Sequence, residues 1–441
     1  MDYDLVVVGN NAAARWSAIA AKQYSAHVAL VALAPDIIPT ALLLQTWAKI
    51  RQRQNEDRIN PTLSFKEWTA AMVYNLTESR SPAQLASMGI EQINEVAQFQ
   101  QKPQLQVHVE NRVLRSRQYL LSLDATLPVP EIPGLNASDY LTPVDLLQYS
   151  DLCEPQLANP IIILGDGPLA ATLSQALVRL GNSVSLISSH SHVLPWEDTE
   201  AAFWVQAHLE AEGVKIYTHC PIEAVQTQLH STHEVITQEG TFIAQSIIWA
   251  DEPPSAVLEP NLVRVKLRHT PQGVWVNPNL QTSQPHLYAC GSILGGYSLL
   301  DLAQYEATVA VKNALFWKQH RVNYQTVPVV IATEPTLARV GLTEAQAQQR
   351  QLSFQVLSQS YQDTYQGQLQ QQTSGWCKLI VDNNRQILGA HIVGTAAAEL
   401  IQWVALGMKK QCPITEFAKE SCLPSSYTAV IGQAARQWRS P

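Results

Sequence analysis

Residues 161–170 read IIILGDGPLA, and residues 5–14 read LVVVGNNAAA. In the first stretch an apolar run meets Gly165, Asp166 and Gly167 and continues through Ala170 into helix-forming residues. A glycine turn between strand and helix lets a pyrophosphate sit on the helix N-terminus, which makes this the turn of a dinucleotide site. In the second stretch only Gly9 survives of the three glycines. Asn11 stands where the second glycine would give a phosphate room to reach the backbone, and Ala14 takes the third position.

The two turns belong to a wider repeat. An apolar strand, an amphipathic helix and a second strand follow one another at 3–8, 13–22 and 27–32. The same order recurs at 161–164, 169–180 and 183–188. Gly9 and Gly165 lie 156 positions apart, as do Ala32 and Ser188. A shared offset over a whole strand–helix–strand unit is far more specific than one glycine pattern. Right-handed crossovers of this kind build parallel sheets covered by helices. Between the copies lie a helical region at 41–80 and a proline-rich linker, LPVPEIPG, at 127–134. From about Pro328 the pattern changes to a hairpin turning at Asp382–Asn384, then a helix near 397–410 and a short polar end.

Composition narrows the class. The chain has 441 residues, 46% apolar and 15% charged, with a net charge of −8. An acidic balance without basic runs argues against a nucleic-acid surface. No apolar run suggests a membrane span and no signal peptide is evident. Cysteines at 153, 220, 290, 377, 412 and 422 form no disulfide framework. The expectation is a reduced, cytoplasmic protein.

In order along the chain, the first turn, PEIPG at 130–134, LGDGPLA, VLPWED at 193–198, LQTSQPHLYACGS, LARVGLTEAQA and ILGAHIVG resemble the class I pyridine nucleotide–disulfide oxidoreductases. The resemblance spans nearly the whole chain. It implies an α/β fold with two Rossmann-like nucleotide-binding domains and a C-terminal α+β dimerisation domain. An FAD-type domain would take 1–150 and 255–325, an NAD(P)-type domain 151–254 and the dimerisation domain 326–441. It also implies a homodimer through that last domain, and electrons passed from NAD(P)H through FAD to a cysteine pair.

Several residues that this route requires are missing. The segment 34–50, where the family carries its Cys-x4-Cys pair, has no cysteine, and the first in the chain is Cys153. Without two sulfurs beside the flavin there is no thiol–disulfide exchange. Leu423 precedes Pro424 where the family has its base, and Thr428 falls near the glutamate position. Cys422 beside them reads as a structural thiol. At the FAD site, Asn11 replaces a glycine, Ala32 replaces the ribose-binding acid, Ser122-Leu123-Asp124 replaces an Ala-Thr-Gly turn, and Gly291-Ser292 replaces Gly-Asp. The degenerate FAD set is therefore Gly9, Asn11, Ala14, Gly291 and Ser292, and FAD binding is expected to be weakened or lost.

The NAD(P) set is Gly165, Gly167, Ala170 and Ser188. There Ala250-Asp251-Glu252 replaces the second Ala-Thr-Gly turn. Ser188, with Ser189 and His190, could hydrogen-bond a 2′-phosphate, tilting the preference toward NADP. His190 with His192, and His230 with His233, read as loop histidines and not as metal pairs. No catalytic residue and no metal ligand is assigned. The losses together predict a non-catalytic or strongly diverged homologue, a dimeric scaffold for an unidentified protein partner or a nucleotide sensor. The alternative is an FAD-dependent NAD(P)H oxidoreductase acting on a small non-disulfide acceptor.

Overall fold

Tyr3–Val8 is the central strand of a five-stranded parallel sheet in the computed structural model. The structure describes residues 2–439 apart from 10, 32–39, 58–62, 101–104, 111, 124–129, 150–151, 153–156, 229–231, 252–264, 271–272, 297–298, 317–319 and 421–422. The sheet runs Leu287–Ala289, Ser116–Leu121, Tyr3–Val8, Val28–Val31 and Glu91–Ile93. Helices cover one face and the antiparallel strands Ala97–Gln100, Gln106–Val109 and Arg112–Leu114 cover the other, so its strands are apolar on both faces. Val6, Val7 and Val8 are all fully buried, and β-branched residues suit such a position. The helices Ala12–Lys22 and Leu300–Leu315 pack together on one face, joined by small residues such as Ala14, Ala18, Ala307 and Ala310.

The second sheet repeats the plan with Lys215–Tyr217, Val184–Ile187, Ile161–Leu164 and Ser246–Trp249, all parallel. Its first helix, Pro168–Arg179, buries Leu173, Ala176 and Leu177 against the strands. The helical region at 41–80 is two helices, Thr40–Asp57 and Phe65–Glu78. Ser64 starts the second with a capping box closed by Glu67.

The third sheet is antiparallel, in the order Val329–Ile331, Leu337–Gly341, Ile387–Val393, Trp376–Asp382 and Phe354–Ser360. The hairpin expected around Asp382 joins two of these strands. Beyond the helix Ala397–Lys409, the end of the chain is more than a polar tail. Ile414–Glu420 and Ala429–Ala435 are helices that bury Phe417, Val430 and Ile431. Among the described residues, no helix is long and apolar enough to cross a membrane.

Candidate nucleotide-binding site

Open parallel sheets bind ligands beyond the carboxyl ends of their strands, where the strand order reverses. In the first sheet that point lies between the exits of Tyr3–Val8 and Ser116–Leu121. Gly9 holds it open with φ of +138°, and a Cβ there would sit 1.8 Å from the Ser122 carbonyl oxygen. Only glycine lets the two strand exits pass so closely.

Asn11 proves to be a built part of this turn. Its buried Oδ1 accepts the Ala14 N–H at 2.8 Å and the Ser122 hydroxyl at 3.1 Å. The side chain thus caps the helix and ties it to the neighbouring strand exit. One amide that a phosphate would use is taken up by the protein itself.

Gly291, at φ of +84°, closes the third side of the cradle. Its N–H donates to Oε2 of Glu306 at 2.7 Å, and Tyr324 donates its hydroxyl to Oε1 at 2.8 Å. Ser292 begins the short turn Ser292–Leu294, its hydroxyl facing the Leu123 carbonyl at 3.5 Å. The structure therefore brings Gly9, Asn11, Ala14, Ser122, Gly291 and Ser292 around adjoining strand exits. Nearby Cys290 is fully buried, and burial, with the Glu306 charge, pushes its thiol up to about 12. That thiol is inert at neutral pH.

Sequence reasoning missed Glu306. It lies on the helix face formed by Ala303, Ala307 and Ala310, where the pattern calls for small or apolar residues, and that misfit was its visible signal. Burial pushes its carboxyl up to about 7, although both hydrogen bonds favour the charged form. The folded state therefore keeps a proton that the unfolded chain releases near its ordinary value of 4.5. This contribution to stability is complete below pH 4.5 and is lost as pH rises through 7, a change of about 3 kcal/mol. Glu306→Gln, which can accept from the Gly291 N–H and donate to the Tyr324 oxygen, is expected to abolish that fall. Urea unfolding between pH 4.5 and 7.5 checks it, and equal slopes for the two proteins would refute the assignment.

The second turn repeats the first. Gly165 has φ of +135°, and a Cβ there would lie 2.7 Å from the backbone of Ala250 and Asp251. Gly167 is the N-cap of Pro168–Arg179 and offers no side chain to its amides. Ala170 is fully buried beneath it. Ser188 ends the second strand, but its hydroxyl donates to Oδ2 of Asp166 at 2.5 Å. His190 Nδ1 meets the same oxygen at 2.8 Å. Asp251 lies near enough that burial and the Asp166 charge together raise its carboxyl.

The loop reading of the histidines needs correction. His192 and His233 are buried, His192 with Nδ1 2.8 Å from the Val193 carbonyl, and burial holds His233 below its ordinary value. Among the described residues no group of three or more His, Cys, Asp or Glu could hold a metal ion. Ala32, Asp124, Cys153, His230, Glu252 and Cys422 lie outside the described residues.

Residues 3–307 match the pyridine nucleotide-disulphide oxidoreductase family, and residues 327–434 match the dimerisation domain of that family. The chain belongs to this family. It is similar to the mercuric reductase of Staphylococcus aureus, 28% identical over 435 residues that cover 92% of this chain and 77% of that one. It is also similar to a dihydrolipoyl dehydrogenase of Bacillus subtilis, 24% identical over 421 residues and 90% of each chain. Among solved structures, the Cu(II) complex of the HOCl-induced flavoprotein disulfide reductase RclA from Escherichia coli aligns with a TM-score of 0.84. The identity is 20%, over 100% of both chains.

These findings overturn two expectations drawn from the sequence. The non-catalytic scaffold or nucleotide sensor gives way to an enzyme, since the relatives are named for the reactions they catalyse. The expected loss of FAD is likewise corrected, because the family is one of flavoproteins and RclA is named as such. The physical reason lies in Asn11 and Ser122. Substitutions that read as damage are hydrogen-bonded parts of a closed turn, and the cradles at Gly9 and Gly291 persist. The backbone cradle at Gly9 is that of a dinucleotide turn, with the Ala14 amide committed to Asn11.

Proposed function

We propose that the protein is a flavin-dependent oxidoreductase, with FAD along the turn at Gly9–Ala14 and a nicotinamide dinucleotide along the turn at Gly165–Ala170. The observation that carries this reading is the matched geometry of the two turns. Each glycine adopts the same left-handed backbone, and each would clash with the exit of the adjacent parallel strand if it gained a Cβ. Two such cradles suit two dinucleotides. When bound, FAD accepts a hydride from the nicotinamide and passes electrons onward.

The chain's own residues position these groups. Gly9 opens the first cradle, Asn11 and Ser122 keep it closed on the sheet side, and Glu306 fixes the Gly291 loop. Gly165 and the helix N-terminus at Gly167 receive the second pyrophosphate. The segment 34–50 carries no cysteine. A flavin held in the first cradle would find no thiol on that segment to receive its electrons. The division into 1–150 with 255–325, 151–254 and 326–441 is supported by Leu287–Ala289, which rejoins the first sheet. The dimerisation match at 327–434 supports a homodimer formed through the third domain.

The test is NADH oxidation by the purified protein with a quinone or ferricyanide, before and after alkylation of accessible thiols. Turnover that survives alkylation is expected. Failure to oxidise NADH with any acceptor would contradict the reading, and loss of turnover on alkylation would put a thiol back into the route.

A further inference from the structure

We infer that Asp166 sets the nucleotide preference of the second site, selecting NAD(H) against NADP(H) by placing a carboxylate where the adenosine ribose is held. This rests on the proposed dinucleotide site at Gly165–Ala170. In such a fold an acid at the end of the second strand accepts the ribose hydroxyls. This chain has Ser188 there, which alone would leave the position without charge. The acid arrives from the turn instead.

Asp166, between the two glycines, has a buried side chain with Oδ2 2.5 Å from the Ser188 hydroxyl and 2.8 Å from His190 Nδ1. Both contacts fall on Oδ2, which holds the carboxylate beside the end of the second strand. The arrangement is rigid, because the Asp166 carbonyl also accepts the Leu194 N–H at 2.7 Å. A second carboxylate, Asp251, is close enough to interact with it electrostatically. A ribose 2′-hydroxyl can donate to a carboxylate, whereas a 2′-phosphate brings two further negative charges against two acids and has no arginine beside it in the 188–192 loop. The serine that suggested NADP is already spent on Asp166.

The experiment is calorimetric titration of the purified holoprotein with NAD+ and NADP+, which do not reduce the flavin. The wild type is expected to bind NAD+ at least about tenfold more tightly than NADP+. Asp166→Asn keeps the side-chain shape and is expected to close most of that gap, mainly by improving NADP+ binding. His190→Ala, at a half-exposed side chain, removes a compensating partner and is expected to widen the gap. This second variant keeps the test sharp if Asp166→Asn fails to fold. A merely structural Asp166 would weaken both nucleotides equally and leave the ratio unchanged, which would overturn the inference. So would equal or tighter binding of NADP+ by the wild type. Binding of neither nucleotide would instead remove the second dinucleotide site, and the inference with it.

Discussion

Lys378→Met is expected to destabilise the protein by about 3–5 kcal/mol, the usual penalty for stranding a buried charge. Lys378 lies on the strand Trp376–Asp382, with its side chain only 4% exposed. Its ammonium reaches Asp198 Oδ1 at 3.1 Å, Glu344 at 2.6 Å and Glu200 at 3.5 Å. Asp198 itself is 2% exposed, although it and Lys378 line a cavity open to solvent. Burial alone would raise the Asp198 carboxyl, yet Lys378, by its charge and its hydrogen bond, holds it below its ordinary value. Asp198 precedes the helix Thr199–Ala211 and Lys378 lies on the antiparallel sheet, so the cluster joins those two elements. Its loss should appear as loosening of this contact as well as reduced stability. Chemical unfolding followed by both tryptophan fluorescence and limited proteolysis checks this. Lys378→Met paired with Asp198→Asn should recover part of the loss, because replacing both partners leaves one less uncompensated charge. A single variant within 1 kcal/mol of wild type would refute the account of the junction, since buried pairs broken on one side cost about 3–5 kcal/mol.

Gly9→Ala is the second large effect, expected at about 3–5 kcal/mol from backbone strain and overpacking together. The added methyl would meet the Ser122 carbonyl oxygen at 1.8 Å, and that atom belongs to backbone held by the sheet. No side-chain rotation can relieve it. The strand exits must part, which breaks the Ser122–Asn11 hydrogen bond and distorts the helix cap. Bound flavin should be lost along with stability. Gly213→Ala serves as the control, because the nearest atom there is the end of the Val178 side chain at 3.8 Å. Its own positive φ brings some strain, but no nucleotide cradle is involved. Flavin content per folded protein separates the two. Retention of flavin by a folded Gly9→Ala protein would show that the cofactor does not depend on this turn.

The fold was legible because its signals are local and repeated. Apolar strands entering glycine turns, two copies at one offset and a hairpin marked by Asp382–Asn384 all report short-range geometry. The site was less legible, since its chemistry depends on residues brought together from distant positions. Asn11 and Ser122 are 111 positions apart, and their partnership turns two apparent losses into one hydrogen bond. Gly291 pairs with Glu306 on the helix that follows it, and Asp166 pairs with Ser188 across two strand ends. A motif read position by position shows what is missing and cannot show what another part of the chain supplies. That is why the sequence suggested a failed enzyme when the turn is closed and built.

The most direct test of the flavin assignment is the visible absorption spectrum of freshly purified wild-type protein, with flavin counted after denaturation. Stoichiometric flavin, bleached on adding NADH without oxygen, is the predicted result. A colourless protein that releases no flavin and gains none when FAD is supplied would contradict the claim that the first turn is a working FAD site.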